Sequence, residues 1–396
     1  MLRFLTAGES HGPSLTVIVE GLPAGLAITE QQIGDELARR RLGYGRGPRM
    51  RFERDVLRLT GGIRHGRTLG SPVAIEILNS EWPKWEQEMS AAPGTPSDRL
   101  TKPRPGHADL AGMQKYAFDD ARDVLERASA RETAARVVAG ALAKALLATI
   151  GIDILSHVVR IGQVASPTDV RPQVGDLVLV DESEVRCFDE TTAGAMIAEI
   201  KAAAKEGDSL GGIVELIAYG VPVGLGSYVH WDRKLDGLLA GALMSIQAVK
   251  AVEIGDGMIQ ATQRGSVAHD AIAADESFAS GGGYIRRSDH AGGLEGGISS
   301  GSPIIAKVAM KPLSTLNRPV LETVDVATGE STVSFKERTD VTAVPALGVV
   351  GEAMMALVLA NEALRKFGGD SVEEFVRNHA GYVANLGSTA SASRPA

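Results

Sequence analysis

Apolar and polar residues begin to alternate early in the chain. Leu15, Val17 and Val19 share one face of residues 14–20, which reads as a β-strand because successive strand side chains point to opposite faces. Thr29 and Gln32 have capping-box spacing, and Ile33, Leu37 and Arg41 then recur at helical spacing before Gly43. This predicts a helix with Arg40 near its end. Residues 56–63 and 72–78 read as strands, the second alternating Val73, Ile75 and Ile77, with 82–88 a polar excursion and 90–106 a loop. Ser129 and Glu132 repeat the capping-box pattern and predict a long alanine-rich helix to about Ile150, its N-terminus presenting free N–H groups. A strand is predicted at 152–161. Further helices are expected at 191–205, 232–250, 349–367 and 371–385, the last capped by Ser371 and Glu374, and further strands at 213–219 and 303–310.

No low-complexity linker divides this pattern, so one large mixed domain over residues 1–386 is expected, followed by a disordered Ser- and Ala-rich tail at 387–396. Gly70-Ser71-Pro72 and Gly301-Ser302-Pro303 each precede an apolar strand, a duplicated glycine-turn-strand unit or a coincidence in a glycine-rich chain. The composition, 44% hydrophobic and 23% charged, describes a soluble globular protein with a large core and excludes a collagen-like polymer or a membrane bundle. Cys187 is the single cysteine, which rules out an internal disulfide or a multi-cysteine metal site and suits a reduced, cytoplasmic setting. The N-terminus lacks a signal-peptide stretch, and the longest apolar run, 137–155, is broken by Lys144 and Asp153, so no membrane partner is expected.

Charge sharpens the picture. The net charge of −8 argues against a chain that coats nucleic acid. Yet residues 39–67 hold ten arginines, no lysine, and only Glu53 and Asp55 as acids. Arginine's planar fork binds phosphate and carboxylate oxygens two at a time, so an anionic ligand competes here with a solvated, salt-bridged face. The glycines of 43–47 favour the ligand, since such a backbone can close around an anion. A binder of nucleic acid or another polyanion is the non-enzymatic alternative, weakened by the 4% aromatic content.

Gly8-Glu9-Ser10-His11-Gly12 has the form of a serine-nucleophile elbow, but a strand follows it where an elbow needs a helix. His11, between glycines in an expected exposed turn, is the more useful group, because an imidazole titrates near neutral pH. Lys102 to Asp109 joins Arg104 and His107 in a proline-stiffened loop. The eight histidines show no metal-ligand spacing, so no catalytic metal is expected. Arg338 and Asp340 set a guanidinium beside a carboxylate.

Taken together, Ala7-Gly-Glu-Ser-His-Gly12, 39–47, Arg104-Pro-Gly-His-Ala-Asp109, Glu126-Arg-Ala-Ser-Ala-Arg-Glu-Thr133, 253–257, 291–297, Lys311-Pro-Leu-Ser-Thr315 and 338–340 resemble the chorismate synthase family over nearly the whole chain. The resemblance implies an α+β fold, a β-α-β layered sandwich with helices between two mainly antiparallel sheets, assembled as a homotetramer. It implies 1,4-anti elimination of phosphate from 5-enolpyruvylshikimate 3-phosphate to give chorismate, with reduced FMN as an electron donor that is not consumed. Under it, His11 protonates or stabilises the departing phosphate, His107 stabilises the reduced flavin, and Asp340 assists proton removal. Ser10, Arg40, Arg46, Arg104, Ser129, Arg131 and Arg338 hold the substrate. Arg127, Ala128, Ser129, Gln247, Ala248, Gly296, Lys311, Pro312, Leu313, Ser314, Thr315 and Arg338 contact the flavin. Arg40 and Arg46 are also candidates for NADP, since NADPH could supply the reducing equivalents unless a separate flavin reductase does.

Overall fold

The computed structural model describes residues 1–47, 55–168, 170–275, 277, 281–318, 320–334 and 340–386. Arg338, Arg49, Arg51, Arg54 and the tail 387–396 lie outside them.

The early alternation builds the first sheet. Strands β1 (Arg3–Ala7), β2 (Ser14–Glu20), β3 (Val56–Gly61) and β4 (Val73–Leu78) run antiparallel in the order β1-β2-β4-β3, after helix α1 (Glu30–Arg41) has intervened between β2 and β3. Register pairs Leu15 with Ile77, Val17 with Ile75 and Val19 with Val73, and all six are buried, so one face of the sheet is a continuous apolar layer. Short helices α2 (Asp109–Tyr116) and α3 (Arg122–Ala128) follow, then the long α4 (Thr133–Ala148).

A second antiparallel sheet uses β5 (Asp153–Ile161), β6 (Val164–Ala165), β7 (Gly212–Tyr219), β8 (Val249–Ile254) and β9 (Ile304–Met310), in the order β8-β9-β7-β5-β6. Helix α5 (Glu190–Glu206) lies between β6 and β7 in sequence, and α6 (Leu235–Met244) between β7 and β8. Ile304, Ala306 and Val308 of β9 pair with Ala218, Leu216 and Val214 of β7, all buried. Helices α4 and α7 (Val344–Phe367) fill the space between the sheets, apolar on nearly every side as a fully buried helix must be. They cross closely because Gly140 faces Ala353, where a Cβ would stand 2.5 Å from the Ala353 Cα. By length and composition α7 could cross a membrane, and 89% of its most apolar window is buried inside the fold. Helix α8 (Val372–Ala384) closes the described chain, with the Ser371–Glu374 capping box formed.

Several expectations are corrected. Ser129 and Glu132 do not form a capping box. Ser129 Oγ accepts from Arg131 N at 3.3 Å and its own N–H caps α3 through the Leu125 carbonyl, while the Glu132 carboxylate turns to Thr6, Gln247 and Arg136. A single 3₁₀ turn at Ala130–Glu132 precedes α4, so its first N–H groups are not left open. The helix expected at 232–250 spans only Leu235–Met244 and gives way to β8. The polar excursion at 82–88 contains a helical turn, Trp82–Trp85, and α7 starts at Val344 rather than 349. Both halves of the glycine echo lead into core strands, β4 and β9, of different sheets, and Gly70 and Gly301 both have φ near +80 to +91°.

Candidate active site

The turn between β1 and β2 carries Ser10 and His11, and α3 with the residues after it carries the groups they meet. Ser10 N–H donates to the Glu126 carbonyl at 2.9 Å, and Ser129 Oγ donates to Ser10 Oγ at 3.3 Å. His11 N–H donates to Glu126 Oε2 at 2.9 Å, and His11 Nδ1 lies 2.9 Å from Oε1. The turn is where the sequence puts it, but His11 is not exposed, its side chain being 20% accessible. Arg131 is buried beside this centre and donates to Asp55 at 2.5 Å and to Asn79 Oδ1 at 3.1–3.2 Å. Asn79 Nδ2 in turn donates to the Gly12 carbonyl at 2.7 Å, locking the turn from the other side. Arg40, at the end of α1, donates to Thr133 Oγ1 at 2.9 Å and the Ala130 carbonyl at 3.2 Å, so it joins the same group.

A second centre forms around the stiffened loop. Arg104 donates to Asp109 Oδ2 at 2.8 Å and to Thr315 Oγ1 at 3.2 Å, and His107 Nδ1 meets Asp109 Oδ1. Asp109 is fully buried at the start of α2. Lys311 Nζ donates to the Gly106 carbonyl. Burial works against ionisation of both carboxyls. Nevertheless, hydrogen bonds and positive charge from His107 and Arg104 hold Asp109 well below the usual carboxylate range, and those from His11 and Arg122 hold Glu126 below it.

Asp340 completes the set from a third position. Its Oδ1 accepts from Gly47 N at 2.6 Å, and Oδ2 lies 2.8 Å from Arg46 Nε. The expected pairing of Asp340 with Arg338 falls outside the described residues; the guanidinium seen beside Asp340 is that of Arg46. Arg46 Nη1 is buried with no hydrogen-bond partner among the described residues.

Most of the remaining candidates bridge the first two centres. Arg127 donates to the Thr6 carbonyl at 2.9 Å and the Gly8 carbonyl at 3.2 Å, and with Thr6, Glu132, Gln247, Phe4 and Met354 it lines a cavity of about 380 Å³. Glu132 accepts from Thr6 Oγ1 at 2.7 Å and Gln247 Nε2 at 3.0 Å. Ala248, next along, holds φ +65° and offers its carbonyl to Lys311 N–H at 3.0 Å. Ser209 Oγ ties down the Leu313 carbonyl at 2.7 Å. Ala128 ends α3 immediately before Ser129, while Pro312 and Ser314 belong to the segment leaving β9. Gly296 stands apart. It lines a second cavity, of about 630 Å³, with residues such as Asp236, His269 and Leu294, none of the others being a candidate. Its φ of +60° accounts for the glycine, since a Cβ there would stand 4.0 Å from its neighbour Tyr228.

The arginine-rich stretch divides between structure and site. Arg39 pairs with buried Glu352 at 2.8 Å, Arg58 with Glu76, and Arg41 lies 3.6 Å from Asp55. Four groups around the site carry no role in the sequence reading: Glu126 and Asp109, which sit inside quoted motifs, and Asn79 and Trp85. The Trp85 ring centroid lies 4.2 Å from that of His11. Among the described residues no three histidine, cysteine or acidic side chains come together as a metal site.

A family model described as chorismate synthase matches residues 2–364. The chain is 59% identical over 396 residues to a chorismate synthase from Frankia alni, covering 98% of this chain and 99% of that one. It is 57% identical over 397 residues to one from Thermobifida fusca, with 98% and 99% covered. Its structure resembles a crystal structure of chorismate synthase with a TM-score of 0.78 and 40% identity, covering 98% of both chains.

Proposed function

The chain belongs to the chorismate synthase family, a family of carbon–oxygen lyases in aromatic biosynthesis, and on that premise we propose how its residues carry out the reaction. The substrate is 5-enolpyruvylshikimate 3-phosphate, which loses phosphate and a ring proton to become chorismate. The observation that carries the assignment is a run of hydrogen bonds from Ser10 to Ser129, Ser129 to Glu132 and Glu132 to Thr6 and Gln247, continued from Ala248, next to Gln247, through Lys311 to Gly106, next to His107, so that flavin candidates separate two histidine–carboxylate pairs.

The residues present fit a flavin. Gln247 Oε1 is a buried acceptor without a partner among the described residues, which suits a ring N–H, and Arg127 and Lys311 supply positive charge for a phosphate or an electron-rich ring. Reduced FMN, when bound, supplies reversible donation of electron density, so the elimination leaves no net redox change. Arg127, Ala128, Ser129, Gln247, Ala248 and 311–315 would hold it, joined by Arg338; Gly296, in the second cavity, is not part of this group.

The chain's own groups govern binding and protons. Arg40, Arg131, Ser10 and Ser129 bind the phosphate end of the substrate, and Arg46, Arg104 and Arg338 its carboxylates. His11 protonates or stabilises the phosphate as the C–O bond breaks. His107, oriented by Asp109, stabilises negative charge near the ring, and Asp340 assists removal of the ring proton. Arg40 hydrogen-bonds the Ala130 carbonyl, one residue beyond Ser129, and Arg46 faces Asp340, so we assign both to substrate rather than to NADPH. The enzyme then depends on an outside source of reduced flavin. We further propose a cytoplasmic homotetramer, which would give exposed Tyr228 and Trp231 a surface to cover.

Anaerobic turnover tests this. Chemically reduced FMN should support chorismate formation, and oxidised FMN with NADPH should not. Equal rates in both arms would return Arg40 and Arg46 to nucleotide binding. No product in either arm would overturn the substrate assignment.

A further inference from the structure

His11 is enclosed by α3 more tightly than a turn residue needs. The Glu126 carboxylate meets it twice, at the backbone N–H (2.9 Å to Oε2) and at ring Nδ1 (2.9 and 3.0 Å to the two oxygens). The Glu126 carbonyl also takes the Ser10 N–H at 2.9 Å, so one residue of α3 fixes both members of the turn. The Glu126 side chain is 2% exposed, and Arg122, one helical turn earlier, donates to its Oε1 at 3.2 Å. The Arg122 guanidinium lies 4.9 Å over the Trp85 ring, which in turn packs on the imidazole. His11 thus has its ring face held by Trp85 and its Nδ1 edge held by Glu126.

An ionised carboxylate can only accept hydrogen bonds. A buried carboxylate in contact with Nδ1 therefore requires the neutral imidazole to carry its proton there, and confines proton exchange to Nε2. We propose that Glu126 is a positioning residue that fixes His11 in the Nδ1–H tautomer and makes Nε2 the nitrogen that exchanges a proton with the leaving phosphate. This rests on the assignment of His11 above.

The test uses Glu126→Gln in the full chain with FMN. Glutamine offers one oxygen, so its NH₂ must face either Nδ1 or the His11 backbone N–H. Nitrogen-15 NMR of histidine-labelled wild type, at a pH where the ring is neutral, should show Nδ1–H. The variant should gain Nε2–H, and its turnover should fall by about 10²-fold with KM little changed. In a His11→Ala background the same substitution should cost nothing further. Wild-type turnover in His11→Ala would overturn the His11 assignment and the proposal with it. A turnover loss in His11→Ala that Glu126→Gln deepens by the same factor as in wild type would leave His11 standing and reject Glu126 as its positioner. Nε2–H in the wild-type spectrum would reject the proposal without any variant, even if Glu126→Gln failed to fold.

Discussion

At the scale of single residues, the two histidines share one device: each presents Nδ1 to a buried carboxylate, Glu126 for His11 and Asp109 for His107. If His107 acts on charge that develops during the reaction, His107→Ala lowers kcat by about 10²-fold and leaves KM nearly unchanged in steady-state assays. Unchanged kcat with a raised KM would reassign it to binding. Arg46 keeps Nη1 buried without a partner among the described residues while Nε faces Asp340, a geometry that a point charge cannot reproduce. Arg46→Lys should therefore raise KM for the substrate about tenfold despite retaining the charge, and a wild-type KM would make Arg46 a partner of Asp340 alone. The histidines were legible in the sequence because glycine and proline punctuate both segments. Their carboxylates differ in this respect. Asp109 stands two residues from His107, whereas Glu126 is 115 positions from His11, and no local spacing announces a pair of that kind. Asp340 gains a partner of the same distant kind: Arg46, from the loop after α1, faces it, while the pairing with Arg338 expected from sequence lies outside the described residues.

At the scale of elements, alternation made β2 and β4 legible because each puts its apolar residues on one face, and capping boxes marked α1 and α8, whereas β7 and β9 are apolar runs buried on both faces. Three capping boxes were read and two formed. The third failed because Glu132 found the distant Thr6 and Gln247 and, one helical turn on, Arg136, partners that together outweigh a bond to the Ser129 N–H. Short α2 and α3 went unread, having too few turns for a periodic signal, although they carry Asp109 and Glu126. The crossing of α4 and α7 is the tightest joint between the long helices. Gly140→Ala would force the new methyl against Ala353, which cannot yield without moving α7, so urea denaturation should show a loss of about 1–3 kcal/mol. An unchanged midpoint would mean the helices can separate without cost.

At the scale of the whole molecule, one apolar cluster runs from the first sheet through α4 and α7 to the second, which supports the proposal of a single folding unit over 1–386. Charge is buried inside it as well. Glu352, fully buried in α7, meets Arg39, Lys144, Arg186 and Ser156, and binds the end of α1 to the centre of the molecule. On the outer face of the second sheet Glu215 bonds Arg171 at 2.8 Å and His157 at 3.3 Å. Burial opposes its ionisation, but His157 and Arg171 lower its pKa from the ordinary 4.5 to about 2. The folded state therefore binds fewer protons than the unfolded one between those values. Stability from this group is complete above pH 4.5 and lost as pH falls towards 2, about 3 kcal/mol in all. Glu215→Gln should accordingly be less stable at neutral pH and flatter in its acid dependence by chemical denaturation; a parallel acid profile would place the acid-sensitive group elsewhere.

The most direct test of the account mixes the purified protein anaerobically with 5-enolpyruvylshikimate 3-phosphate and FMN that is reduced, oxidised or absent, measuring phosphate, chorismate and the flavin's final state. Equimolar phosphate and chorismate should form only with reduced FMN, which ends reduced. Flavin binding without product, or product formed with FMN absent, would contradict it.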